Sequence, residues 1–292
     1  MKKLTLKILF IFFSGVLIYS CSKDDASVTP GGGLADTSTN FKYPFSLNSN
    51  WLFTTTPSYR YNPDSLQAFL IRNNVDLDSA IETGYTYWKN DTIINGVNAR
   101  VLRGNHTSTA HSYNTTEYYI QTDTGLVNTG FIISKGTSFG PFRPNPNVKI
   151  LYNGEVIHSL DEISAGSISG FSYTALADTT YLNSIKYPIV TNFEWFFRKT
   201  SALQTQRKKY LSYEQVTTPA GAFNCIKIQR KNYKGNPEIL DSTFTSFDYF
   251  SKAGLVKRKT INVLEFRNSS DVIIGYLEIH RDVILNSVNI AP

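Results

Sequence analysis

The 292-residue sequence holds two cysteines, Cys21 and Cys225. With Cys21 beside the N-terminal apolar run, no pair is left to staple the folded part with a disulfide. Cys225 lies among apolar residues in "AFNCIKI" and reads as a buried structural thiol, not a nucleophile. Histidine is scarce too. His106 and His111 fall five apart in the turn-like "NHTSTAHS", and His158 and His280 stand alone. No His-x-His or His-Glu-x-x-His spacing occurs, so no metal site is expected, and His106 and His111 read as exposed loop residues. The chain has no P-loop, and its Gly-x-Ser-x-Gly string, "GTSFG" at Gly136, falls in the loop-like "GTSFGPFRPNPN" and not on a strand-to-helix turn, so no nucleophile elbow is expected. "DEIS" at Asp161 and "FDYF" at Phe247 supply carboxylates, but a catalytic pair needs a separation that sequence does not give. These absences argue against an enzyme, and no catalytic residue or cofactor is assigned. A sustained basic stripe is missing as well. "RKK" at Arg207 and "VKRK" at Val256 are interrupted by aromatic or apolar residues and read as solvated strand faces, so nucleic acid is not an expected partner.

The N-terminus is informative. Lys2, Lys3 and Lys7 precede an apolar run, Ile8 to Tyr19, that is too short to span a bilayer comfortably. Residues 1–20 read as a signal peptide, and removing those three lysines lowers the net charge from +6 to +3. "IYSCSKDD" then resembles the lipobox of bacterial lipoproteins, with Tyr19 bulkier than that pattern prefers. The resemblance implies that Cys21 becomes the first mature residue, acylated on its thiol and its amine, and that the lipid holds the chain to a membrane. "CSKDD" is similar to the acidic surface-export signal of Bacteroidota lipoproteins, which implies an outer-membrane, surface-exposed location in the cell envelope. Residues 21–40, with "ASVTPGGGLADTSTN", are small, polar and glycine-rich, and read as a lipidated flexible tether.

From Phe41 onward the chain is rich in Tyr, Phe, Thr, Val and Ile, alternating with polar residues over short runs. The pattern predicts a mainly β fold of antiparallel strands, with at most one or two short helices. The best helix candidate is "NPDSLQAFLIRNN", with Asp64 as N-cap and Leu66, Phe69 and Leu70 on one face. The sequence also repeats itself. "YPFSLNSNWLF" at Tyr43 and "YPIVTNFEWFF" at Tyr187 share Tyr, Pro, Asn, Trp and Phe at five places. Each is followed by a hairpin, around Asn95-Gly96 and around Pro219, and then by an aromatic strand ending in Gly-Leu-Val at Gly125 and Gly254. Residues 41–135 and 187–285 are therefore expected to be duplicated β units, joined by an insertion over 136–186 and followed by a tail over 286–292. The units form two small domains or one continuous sheet: a curved sheet, a half-barrel or a sandwich-like pair. Pro44 and Pro188 belong at a strand entrance or edge, not within a central ladder. Trp51 and Trp195 belong in the core, with their indole N–H groups bonded.

"VTTPAGAFNCIKI", followed by "YFSKAGLVK", resembles a group of Bacteroidota lipoproteins that carry a Pro-Ala-Gly-x-Phe hairpin. No activity comes with that resemblance. A curved antiparallel sheet of this kind is also similar to the half-barrels of periplasmic lipoprotein carriers, an analogy of fold alone. Five triplets resemble the Bacteroidota O-glycosylation site and mark Ser65, Ser79, Thr92, Thr179 and Ser242 as candidates; the same residues also suit turns. "SYRY" at Ser58 and "NYKGNPEIL" at Asn232 offer exposed contacts. The expected function is that of a lipid-anchored envelope protein with a non-catalytic binding or structural role, in an envelope protein assembly. The alternative is a carrier of a lipid or other hydrophobic ligand. An internal pocket separates the two.

Overall fold

The computed structural model describes residues 41–72, 77, 80–94, 96–109, 112–137, 147–158, 182–201 and 204–292. The first meander comprises β1 (Asn50–Asn62), β2 (Glu82–Ile94), β3 (Val97–Thr107), β4 (Ser112–Thr122) and β5 (Gly125–Thr137). A small hairpin follows, β6 (Val148–Tyr152) and β7 (Glu155–Val156), and then β8 (Leu182–Lys186). The second meander comprises β9 (Glu194–Ser201), β10 (Gln204–Thr218), β11 (Gly221–Lys234), β12 (Ile239–Ser251), β13 (Gly254–Asn268) and β14 (Ile273–Asn289). One helix, α1 (Ser65–Arg72), leaves the end of β1. It starts on Pro63 and Asp64, whose carbonyls accept from Leu66 and Gln67 at 2.9 and 3.1 Å, and it buries Leu66 and Leu70.

All these strands join one antiparallel sheet in the order β8-β5-β4-β3-β2-β1-β14-β13-β12-β11-β10-β9, with β6 paired to β13 and β7 to β6. The mainly β antiparallel fold is thus as expected, and of the two arrangements of the halves it is the continuous sheet. The order reads as two runs of six strands in the same sequence: 8-5-4-3-2-1, then 14-13-12-11-10-9. A continuous ladder joins the runs where β1 pairs β14 along its whole length, from Asn50↔Asn289 to Asn62↔Tyr276. At the other end of the path β8 and β9 meet without a ladder, and side chains stitch that seam. Trp195 Nε1 donates to the Asn183 carbonyl at 2.8 Å, Lys208 Nζ to that of Ser184 at 2.9 Å, and the Tyr210 hydroxyl to that of Lys186 at 2.5 Å. The result is a nearly closed barrel.

The registers of the two runs agree with their order. Across the ladder from Trp51 stand Thr86, Gly104 and Thr115 in turn; across from Trp195 stand Lys208, Arg230 and Ser246. Both tryptophans are buried, at 1 and 3 % exposure, and each donates its indole N–H to a carbonyl, Trp51 to Ala253 at 2.5 Å and Trp195 to Asn183. Pro44 and Pro188 lie outside the strands. The two Tyr-Pro stretches touch, for Tyr43 N donates to the Tyr187 hydroxyl at 2.9 Å. Gly254 has φ +95°, and any Cβ there would sit 2.8 Å from the Trp51 indole nitrogen, so the Gly-Leu-Val glycine both turns the chain and clears space for the ring.

Two expected boundaries shift. The tail expected over 286–292 begins later, because β14 continues to Asn289: its last residues pair with Asn50–Leu52 beside Trp51. Residues 182–186, expected within the insertion, form β8 and extend the sheet from β5. The core has two apolar clusters. One surrounds Trp51, Trp88, Trp195, Tyr210 and Phe250 and floors the barrel. The other packs α1 and β6 on Leu264, Phe266, Leu277 and Ile279.

Candidate functional site

Between the two clusters the barrel encloses a cavity of about 350 Å³. Strand alternation builds its wall, because residues two apart share a face. One step above the apolar floor, several strands turn a charged residue inward. Lys208 follows this rule from Tyr210, Arg230 from Ile228, Asp248 from Phe250 and Arg258 from Val256. Arg281 sits likewise beside Val283 on β14. Apolar and aromatic side chains, among them Tyr43, Phe53, Trp88, Leu102 and Phe250, line the lower part.

The charges are unevenly matched. Asp248 receives Arg258 Nε at 2.5 Å from directly across the ladder. Burial works to raise its carboxyl, but Arg258, with Lys208 and Arg230 nearby, outweighs this and holds it below the ordinary value. Burial raises Glu117, which accepts from the Tyr119 hydroxyl at 2.6 Å. Lys208 is 5 % exposed, and its ammonium lies 4.0 Å from the Phe197 ring centroid. Burial pushes that ammonium down to about 7, against the pull of Asp248 and with the help of Arg230, Arg258 and Arg198. Burial likewise lowers Arg230 to about 10. Its guanidinium faces Phe244, 5.0 Å from the ring centroid, and its Nε is buried without a hydrogen-bond partner.

Higher in the lumen, Glu82 Oε1 meets His106 Nδ1 at 3.0 Å and accepts from the Tyr113 hydroxyl at 3.1 Å, while the His106 and Tyr113 rings stack 4.5 Å apart. His106 is therefore not an exposed loop residue. It lies on β3 and turns into the barrel, where Gly84 and Gly104 leave room for its ring.

The basic clusters need the same correction. Arg207 and Lys209 face outward, but Lys208 between them is buried. In "VKRK", Arg258 points into the lumen. A strand alternates faces whatever its charge, so a run of basic residues on a barrel strand puts some of them inside. A signal was present in the sequence, since each of these cations lies two residues from a large apolar one. The tyrosines of "SYRY" differ from expectation as well: Tyr59 and Tyr61 are half-buried against the second apolar cluster.

Other predicted sites scatter. Cys21, Ser79, His111, Asp161 and Thr179 lie outside the described residues. Ser65, on α1, and Ser242, on β12, are exposed, and Thr92, on β2, is half-buried. His158 is exposed, and His280 Nε2 meets Glu278 at 3.0 Å. Cys225 is fully buried, and burial pushes its thiol up to about 12, as a structural cysteine requires. Among the described residues, no three His, Cys, Asp or Glu side chains gather in a way that would hold a metal ion.

No protein-family model matches the chain, and no curated protein matches it. Two solved structures are similar in part. One is a Bacteroides fragilis protein described as exported and as having a YmcC-like fold, 10% identical, with TM-score 0.33, covering 85% of this chain and 98% of that one. The other is a Parabacteroides distasonis protein described as a lipoprotein, 12% identical, with TM-score 0.35, covering 85% of this chain and 97% of that one.

Proposed function

We propose that the protein is a non-catalytic binding protein of the cell envelope, held to the outer membrane by lipid on Cys21, and that its ligand occupies the barrel lumen. The lumen carries this reading. A barrel of twelve strands is wider than the roughly eight that side chains alone fill, and here about 350 Å³ stays open, within the size range of small-molecule pockets. The lining combines an aromatic floor with charged and polar groups converging on the space above it, which can fix a ligand's orientation. Lipid anchoring and the surface-exposed location rest on the lipobox-like "IYSC" and on "CSKDD". The floor around Trp88 and Phe250 also favours a second reading, a carrier that would release its ligand to another envelope component.

A neutral fluorescent probe, N-phenyl-1-naphthylamine, tests occupancy. One probe should bind per chain with enhanced emission, and Thr86→Trp, which fills the lumen opposite Trp51, should abolish binding while leaving the β-sheet circular dichroism unchanged. Undiminished binding by a folded Thr86→Trp chain, or no binding at all, would remove the lumen as the site.

A further inference from the structure

We infer that the lumen ligand is an amphiphile with an anionic head, its head seated against Lys208 and Arg230 and its apolar part on the floor beside Trp88 and Phe250. This rests on the lumen being the binding site and adds the chemistry of what binds.

The described lumen lining includes five cations, Arg198, Lys208, Arg230, Arg258 and Arg281, but only three carboxylates. Those three are engaged: Asp248 by Arg258, Glu82 by His106 and Tyr113, and Glu117 by Tyr119. Among the described residues no carboxylate forms an ion pair with Lys208 or Arg230. Asp248 is thus one carboxylate among three cations.

Register sharpens the point. Lys208 and Arg230 stand directly opposite each other on β10 and β11. Like charges so placed repel, while opposite charges stabilise a sheet. The next such pair on the same wall, Asp248 opposite Arg258 on β12 and β13, is of the stabilising kind. Lys208 is buried and Arg230 half-buried, with its Nε buried and unpartnered, and buried polar groups without partners are costly.

The fold does not demand these cations. At the ladder positions across from Trp51, the first run places Thr86 and Gly104 where the second run, across from Trp195, places Lys208 and Arg230. The same architecture therefore closes with small, uncharged residues at those places. A guanidinium beside an ammonium suits a carboxylate or a phosphate, which accepts charge-assisted hydrogen bonds from both. The aromatic floor below them suits a hydrocarbon chain.

The test compares decanoate, decyl phosphate, decanol and inorganic phosphate by calorimetry. The full chain carries Cys21→Ser throughout, so that no anchor lipid competes. Decanoate or decyl phosphate should bind at least roughly tenfold tighter than decanol. Lys208→Met and, separately, Arg230→Met should remove most of that advantage while decanol binding persists. Each variant is checked by thermal melting, and either one that folds suffices. Equal affinity for decanol and both anionic amphiphiles would overturn the anionic head and leave the lumen site standing. Inorganic phosphate binding as tightly as decyl phosphate would overturn the amphiphile. If none of the four ligands binds, the lumen reading itself falls, and this inference with it.

Discussion

Lys208→Met should change how stability depends on pH. Lys208 is buried, stands opposite Arg230 on β11, and is also near Arg198 on β9, Asp248 on β12 and Arg258 on β13. Burial leads these effects and brings the ammonium down to about 7, far below the ordinary lysine value of 10.5. Between those two values the unfolded chain holds a proton that the folded chain has released. Stability therefore rises with pH across that window, by about 1.4 kcal/mol per unit where the difference is one full proton. From pH 7.5 to 9 the contribution is about 2 kcal/mol, equivalent to about 4 to 8 °C in Tm for a chain of this size. The window stops at pH 9 because Arg198, lowered to about 9, and the Cys225 thiol of the unfolded chain are by then about half titrated, and only the difference between native chain and variant cancels them. Lys208→Met removes the lysine and leaves the other groups in place. Urea melts of the ligand-free native and variant chains at half-unit pH steps give the difference directly. The native chain should gain on the variant as pH rises, and the variant should be the more stable of the two at pH 7. Parallel pH profiles would show that Lys208 keeps its proton when folded and would refute the reasoning.

Trp51→Ala and Trp195→Ala should each cost about 3 to 5 kcal/mol in denaturant melts, because each removes a buried indole and leaves Ala253 or Asn183 without its donor. Gly104→Ala should destabilise by about 1 to 3 kcal/mol as overpacking, since its Cβ would lie 2.3 Å from Thr115 Oγ1 and 2.8 Å from His106 Nε2; an unchanged Tm would show that the His106 niche is slack. Cys21→Ser should abolish acylation and move the chain out of the detergent phase in phase partitioning. Intact mass of protein from its native host should exceed polypeptide plus lipid by whole sugar chains, carried on residues such as Ser65 and Ser242, which are exposed.

Local features of this fold were legible because they are written in short stretches. Alternation marked the strands, Pro219 marked the turn between β10 and β11, and Leu66 with Leu70 marked the buried face of α1. The shared Tyr-Pro…Trp stretches located both buried tryptophans. Closure was not legible. The pairing of β1 with β14 joins segments almost a whole chain apart, and β8 is only five residues long, so neither leaves a local signature. Without closure the inward face has no identity, and for that reason Lys208 and Arg258 looked like surface charge, His106 looked like a loop residue, and Arg230 drew no reading at all. Their neighbours two positions away, Tyr210, Ile228 and Val256, carried the missing information.

The β1–β14 ladder also sets the order in which the molecule can be assembled. Most strands pair with the next one in sequence, so the two meanders can zip up locally and quickly. Joining β1 to β14 is different, because it closes a loop that contains nearly everything else and bears the corresponding entropy cost. Until β14 is laid between β1 and β13, each meander keeps an open edge able to recruit a stray strand. A chain delivered from its N-terminus therefore has no chamber until β14 has emerged. Arg281 and the last wall of the lumen arrive together on the final strand, and a chain interrupted before Ile273 would carry most of its hairpins but no enclosed space in which to hold anything.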